Sequence, residues 1–179
     1  MTRGEKLEFE EVVKQRRSIR SYTGEEIGKD EIYELLKIGH AAPSAGNLQA
    51  RDFIIVNSHE TKTRLKKAAY GQKFIEDSSW VIVVCANEER SAKRYGDRGR
   101  ELYSVQDASA AVENILLAVT DKGLGAVWVG AFDEEWVANI LDIPDGVRPV
   151  AMIPIGHPDK ISKEPPKMDV EELTHEGSW

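Results

Sequence analysis

The sequence predicts one soluble domain of interleaved helices and strands, and three observations carry that expectation. The 179 residues, 41% hydrophobic and 31% charged, suffice for a sizeable core and are too apolar for a disordered chain. Several stretches repeat apolar residues at helical spacing, the longest over about residues 102–122. Between them lie short apolar runs, 53–56, 80–85 and 147–155, that read as strands.

Taken in order, Leu7, Phe9, Val12 and Val13 give a first helix over residues 6–16. Asp30 is placed as the N-cap of a second helix over 30–42, with Ile32, Leu35, Leu36 and Ile38 on its apolar side and Pro43 as its stop. Residues 43–49 are rich in turn formers and read as a loop. A buried strand at 53–56 leads to a helix over 60–70, where Lys62, Arg64, Lys66 and Lys67 make a wet face, and residues 71–75 open a further short helix. The run 80–85 reads as a central strand covered on both sides, which makes Cys85 a buried structural thiol.

Residues 88–101 carry mixed charge and two glycines. They read as a solvated loop, with a mobile substrate cover using Arg94, Tyr95, Arg98 or Arg100 as the functional alternative. In the long helix, Val105, Ala108, Val112, Ile115, Leu116 and Val119 form a wide stripe. Small residues elsewhere on it suit either the core or a contact between subunits. Gly123 ends that helix, 125–132 reads as a strand with glycines where backbone can approach a ligand, and Asp133 caps a helix to about residue 141. The tail, 159–179, has little core pattern and needs something to hold it, such as a second subunit.

The chemistry concentrates at Arg16-Arg17-Ser18-Ile19-Arg20, three guanidiniums and a hydroxyl within five residues of a chain with net charge -7. If extended, the stretch projects Arg16, Ser18 and Arg20 to one side at roughly 7 Å intervals; if helical, Arg16 and Arg20 meet on one face. Either arrangement suits the oxygens of a phosphate monoester, and a solvated basic helix end is the alternative. Asn47 and Gln49 each offer a donor and an acceptor, a set that suits the edge of a planar heterocycle.

A pI near 5.2 argues against nucleic acid as the main partner. No apolar run is long enough for a membrane span, the first residues are too polar for a signal peptide, and the single cysteine points to a reducing, cytoplasmic setting. The histidines show no zinc-ligand spacing and no nucleophile elbow is present.

Four motifs in order resemble the nitroreductase family of FMN-dependent NAD(P)H oxidoreductases. They are Arg16-Arg17-Ser18-Ile19-Arg20, Pro43-Ser44-Ala45-Gly46-Asn47-Leu48-Gln49, Gly71-Gln72-Lys73-Phe74-Ile75, and the segment 123–132. The resemblance spans nearly the whole chain. It implies an α+β fold with a mainly antiparallel central sheet flanked by helices, and a homodimer with FMN at its interface and the tail wrapping the partner. On that basis Arg16, Arg17, Ser18 and Arg20 hold the phosphate and ribityl chain, and Lys167 adds a second phosphate-binding cation. Gln72 meets the phosphate or ribityl end, Val129 and Gly130 lie by the flavin edge, and Pro43, Ser44, Asn47 and Gln49 arrive from the other subunit. NAD(P)H would reduce the flavin, and a nitroaromatic, quinone or similar acceptor would reoxidise it in a ping-pong cycle. A dehalogenase, a flavin-consuming enzyme, or a non-catalytic flavin carrier or sensor are the alternatives. The chain departs from the family pattern at Ala50, where proline is usual, and in its short 88–101 segment, where larger members carry a substrate cover.

Overall fold

A computed structural model of the chain describes residues 8–179; Leu7, counted above in the first helix, lies outside the described residues. Alternation along β2 (Trp80–Asn87) sets the architecture. Ile82 and Val84 face one side, Val81, Val83 and Cys85 the other, and all are fully buried. β4 (Val147–Gly156) runs antiparallel to β2, pairing Ile82 with Ile153 and Val83 with Met152. β1 (Arg51–Val56) pairs antiparallel with the other side of β2, and β3 (Gly125–Ala126) lies beyond β4, giving the order β1-β2-β4-β3.

Helices cover both faces. On one, α2 (Lys29–His40) and α6 (Ser104–Asp121) bring Ile32, Leu35, Val112 and Ile115 onto Ile82, Val84, Ile153 and Ile155. On the other, α3 (His59–Ala68), α4 (Phe74–Asp77) and α7 (Glu134–Leu141) bring Leu65, Ile75, Val137 and Ile140 onto Val81, Val83, Cys85 and Met152. This is the α+β fold with an antiparallel sheet flanked by helices that the sequence led us to expect. Burial pushes the Cys85 thiol up to about 12, consistent with a structural rather than a reactive sulfur.

Local expectations fared unevenly. Asp133 caps α7 by accepting from the Trp136 amide at 2.8 Å. Asp30 does not cap α2: Gly28 occupies that position and Asp30 sits in the first turn, where the helix dipole still favours a carboxylate. β1 is only partly buried, because it is an edge strand. Lys62 is not on a wet face. It is 6% exposed, its ammonium donates to the Ser78 carbonyl, and burial lowers its pKa.

The expected strand over 125–132 shrinks to β3, after which only Val129 rejoins the sheet, exchanging hydrogen bonds of 2.9 and 3.0 Å with Met152. Val127 and Val129 point inward, whereas Trp128 and Gly130 are exposed.

The largest correction concerns residues 88–101. They form α5 (Glu88–Arg98), followed by a π turn, Gly99–Tyr103, that runs directly into α6. Asn87 Oδ1 accepts from the Arg90 amide at 2.9 Å, and Glu88 and Glu89 occupy the first turn, so the start is a well-made helix N-terminus. The glycines do not mark a loop: Gly96 bends the helix, with φ 53° and ψ -138°, while Gly99 stays helical and is packed so that a Cβ would lie 2.6 Å from the Ser91 carbonyl oxygen.

Candidate binding site

α1 (Phe9–Gln15) stops where Arg16 turns extended, at φ -54° and ψ 126°. The chain then docks beside β3: Ser18 bridges Ala126 in parallel register, and the Ile19 amide donates to the Ala126 carbonyl at 2.9 Å. Ile19 is buried against Gly125, where a Cβ would sit 2.7 Å from the Ile19 side chain. Strand alternation therefore turns Ser18 and Arg20 away from the core, so the stretch is extended rather than helical.

Arg16, Arg17, Ser18 and Arg20 line one cavity of about 330 Å³ together with Lys163, Glu164 and Lys167 of the tail. The tail is held there by its own chain. Asp159 exchanges hydrogen bonds with Ser21, through its carboxylate at 2.8 Å and its amide at 2.9 Å, and Ser162 Oγ donates to the Ser18 carbonyl at 3.2 Å. Glu164 accepts from Lys167 at 3.0 Å and from Arg17 at 2.9 Å. The Lys167 hydrogen bond, then the Arg17 charge, hold its carboxyl below the usual range.

Contacts lead from this cavity across the sheet. The Arg20 guanidinium lies 5.9 Å from the Phe74 ring centroid, and Gln72 Nε2 donates to the Ala69 and Ala131 carbonyls, both at 3.0 Å. Arg20, Gln72 and the segment of Val129 and Gly130 therefore share one side of the protomer.

The loop carrying Pro43, Ser44, Asn47 and Gln49 is not brought to these residues within one chain. Its contacts run to α5, the π turn and α6: the Arg90 guanidinium donates to the Gln49 carbonyl at 2.6 Å, Gly46 abuts Arg94 and Tyr95, and Pro43 and Ser44 wall a cavity with Tyr103. The loop is tightly set. Gly46, Asn47 and Gln49 all adopt positive φ (58°, 55° and 50°), and Ser44 Oγ accepts from the Gln49 amide at 3.0 Å. Left-handed non-glycine residues persist only where their surroundings impose them.

Ala50 supplies part of that imposition. Its amide, which a proline would lack, donates to the buried Asp107 Oδ2 at 2.6 Å. Asp107 Oδ1 in turn lies 2.6 Å from Arg51 Nη1, and Arg51 Nη2 donates to the His40 and Ala42 carbonyls at 2.9 and 2.8 Å. One buried ion pair thus ties the end of α2, the start of β1 and the loop between them. Burial raises the Asp107 pKa, with Arg51 acting against that shift. Sequence reasoning overlooked this pair, although a carboxylate embedded in the apolar stripe of α6 was a visible signal.

The fold is a helix-flanked antiparallel sheet with Arg16, Arg17 and Arg20 and two tail lysines gathered around one cavity, and comparison with known proteins gives the family. The nitroreductase family profile matches residues 13–78 and 66–157. A protein of Archaeoglobus fulgidus, named provisionally as an NADH dehydrogenase/NAD(P)H nitroreductase, is 36% identical over 147 residues, covering 80% of this chain and 81% of its own. A protein of Bacillus subtilis named FMN reductase (NADPH) is 30% identical over 182 residues, covering 94% and 73%. The NADPH:FMN oxidoreductase of Vibrio harveyi, solved with NAD+, superposes with a TM-score of 0.88 at 25% identity, covering 96% and 77%. The chain belongs to the nitroreductase family. Among the described residues no helix is long and apolar enough to cross a membrane.

Proposed function

We propose that this chain is an FMN-dependent NAD(P)H oxidoreductase, acting as a homodimer, that passes electrons to an electron-poor acceptor such as a nitroaromatic or quinone. The observation that carries this reading is the convergence of Arg16, Arg17, Ser18, Arg20 and Lys167 on one cavity. Guanidinium, ammonium and hydroxyl donors are the groups that a phosphate monoester's oxygens accept from. FMN, when bound, supplies a two-electron relay between a hydride donor and an acceptor.

The chain's own residues then divide the work. Arg16, Arg17, Ser18, Arg20 and Lys167 hold the phosphate end, Gln72 supports the ribityl chain, and Val129 and Gly130 present backbone to the ring. Pro43, Ser44, Asn47 and Gln49 serve the ring from a second copy, a reading supported by their separation from the arginines within one chain. Residues 1–179 act as a single FMN-binding domain whose tail, 159–179, reaches the partner. NAD(P)H and acceptor occupy the same pocket in turn, a ping-pong order.

Purified protein is expected to be yellow, and its flavin absorbance to bleach on anaerobic addition of NADH or NADPH; an FMN-loaded protein that stays oxidised would overturn the reading. Arg20→Ala is expected to weaken FMN binding by about 1.5–3 kcal/mol, the scale of a hydrogen bond to a charged group. Fluorescence titration with FMN measures it, and unchanged affinity removes Arg20 from the site.

A further inference from the structure

α5 and the π turn put four arginines and two tyrosines on one corner of the molecule. Arg90 and Arg100 are neutralised: their guanidiniums meet Asp52 at 2.8 Å and Glu89 at 2.9 Å. Arg94 and Arg98 have no carboxylate within ion-pair distance among the described residues, in a chain with 31 acidic side chains to choose from. Each lies against a ring instead. Arg94 is 5.5 Å from the Tyr95 centroid and Arg98 is 5.3 Å from that of Tyr103, whose hydroxyl accepts from Arg98 Nε at 2.9 Å. The two rings meet edge to face at 5.1 Å and 84°.

Three features tie this corner to the loop at 43–49. Gly46 is packed so closely that a Cβ there would lie 2.7 Å from Tyr95 Oη and 2.8 Å from Arg94 Nη1. Tyr103 shares with Pro43, Ser44 and Ala45 a cavity of about 230 Å³. The backbone itself is irregular here, with the bend at Gly96 followed by the π turn, a form of helix defect common at functional sites.

We propose that Arg94 and Arg98, with the Tyr95–Tyr103 pair, bind the anionic group of a planar, ring-bearing substrate beside the 43–49 loop, whose cavity Tyr103 lines. The rings offer a flat apolar surface. The two guanidiniums, unpaired with any carboxylate among the described residues, offer charge-assisted hydrogen bonds and attract anions toward a protein that otherwise repels them. This inference rests on the FMN reading above, because it is the loop that brings the corner to the flavin. Two substrates share the chemistry: an aromatic acceptor bearing a carboxylate or sulfonate, and the phosphate-bearing adenosine end of NADPH.

The test uses the FMN-loaded protein and a pair of acceptors, a sulfonated naphthoquinone and its unsulfonated parent. In each reaction the quinone takes a hydride equivalent and a proton, giving hydroquinone and NAD(P)+ from NAD(P)H and H+. Arg94→Ala and Arg98→Ala are each expected to lower the sulfonated-to-neutral ratio of kcat/KM about tenfold. Lys93→Ala, which removes an exposed charge from the same helix, should leave that ratio in place. Titrating the oxidised protein with naphthalene sulfonate, which accepts no electrons, and following the flavin absorbance should show Kd rising by the same factor. A fall in the NADPH-to-NADH ratio, with the quinone ratio and this Kd constant, would assign the corner to the donor's phosphate. If both ratios and the Kd match those of Lys93→Ala, the proposal is overturned. Flavin content is read first in every variant: a colourless wild-type protein defeats the FMN reading, whereas yellow variants with unmoved ratios defeat only this one.

Discussion

Asp107→Ala is expected to cost about 3–5 kcal/mol of folding stability, because it leaves the Arg51 guanidinium buried without its counter-charge. Both side chains are almost wholly inaccessible, at 1% and 2% exposure, so in the folded protein each charge is compensated by its partner rather than by solvent. The Ala50 amide loses its acceptor in the same step. Urea unfolding measures the loss. A double substitution, Arg51→Met with Asp107→Leu, should recover most of the stability, since removing both buried charges is often neutral. It should not restore the loop, because no acceptor for Ala50 returns. A stable double variant with poor FMN retention would therefore separate the scaffold role of the pair from its role in setting residues 43–49. A single variant losing under about 1 kcal/mol, the range of a surface pair, would show that the ion pair does not anchor this junction.

Ending the chain at Pro158 is the second large effect. It removes Lys167 from the cationic cavity and is expected to weaken FMN binding by about 10- to 150-fold, the equivalent of one charge-assisted hydrogen bond. It is also expected to weaken association between two copies, which sedimentation reports independently. Lys167→Ala in the full chain should reproduce the flavin loss and leave association intact. A truncated protein that remains a flavin-loaded dimer would remove the tail from both roles. Acidity should mimic part of the truncation. Lys167 and Arg17 hold Glu164 below the usual carboxylate range, so its tie is fully made above that range and is lost as pH falls through the lowered value.

The fold was legible where burial imposes a period. The unbroken apolar run of β2 and the stripe of α6 are direct consequences of a sheet covered on both faces and a helix packed beneath it. Antiparallel pairing was not legible from those periods, since a doubly covered strand reads the same in either direction; the ordered motifs supplied it. α5 was hidden because its exposed face is charged and Gly96 looks like a loop residue, while the cap at Asn87 is a single-residue signal. The expected strand at 125–132 failed for the opposite reason: beyond β3 only Val129 pairs with the sheet, and Val127, Val129 and Phe132 are apolar because they pack with α7 on one sheet face.

The cationic cradle was readable because its arginines are contiguous in sequence. Lys62, Arg51 and Asp107 were not, because a charged residue looks solvated until its partners, some distant along the chain, are known. Arg51 finds Asp107, and Lys62 finds the Ser78 carbonyl.

Cys85 gives the molecule an internal clock. Its sulfur is fully enclosed at the middle of the sheet, in a chain with no other thiol, so a disulfide reagent can reach it only when the central strands part. Thiol labelling should therefore proceed at the rate set by cooperative opening. It should slow when a ligand that favours the folded state is added, in proportion to how tightly that ligand is held. Retention of any bound molecule thus becomes measurable without colour, turnover or a labelled ligand.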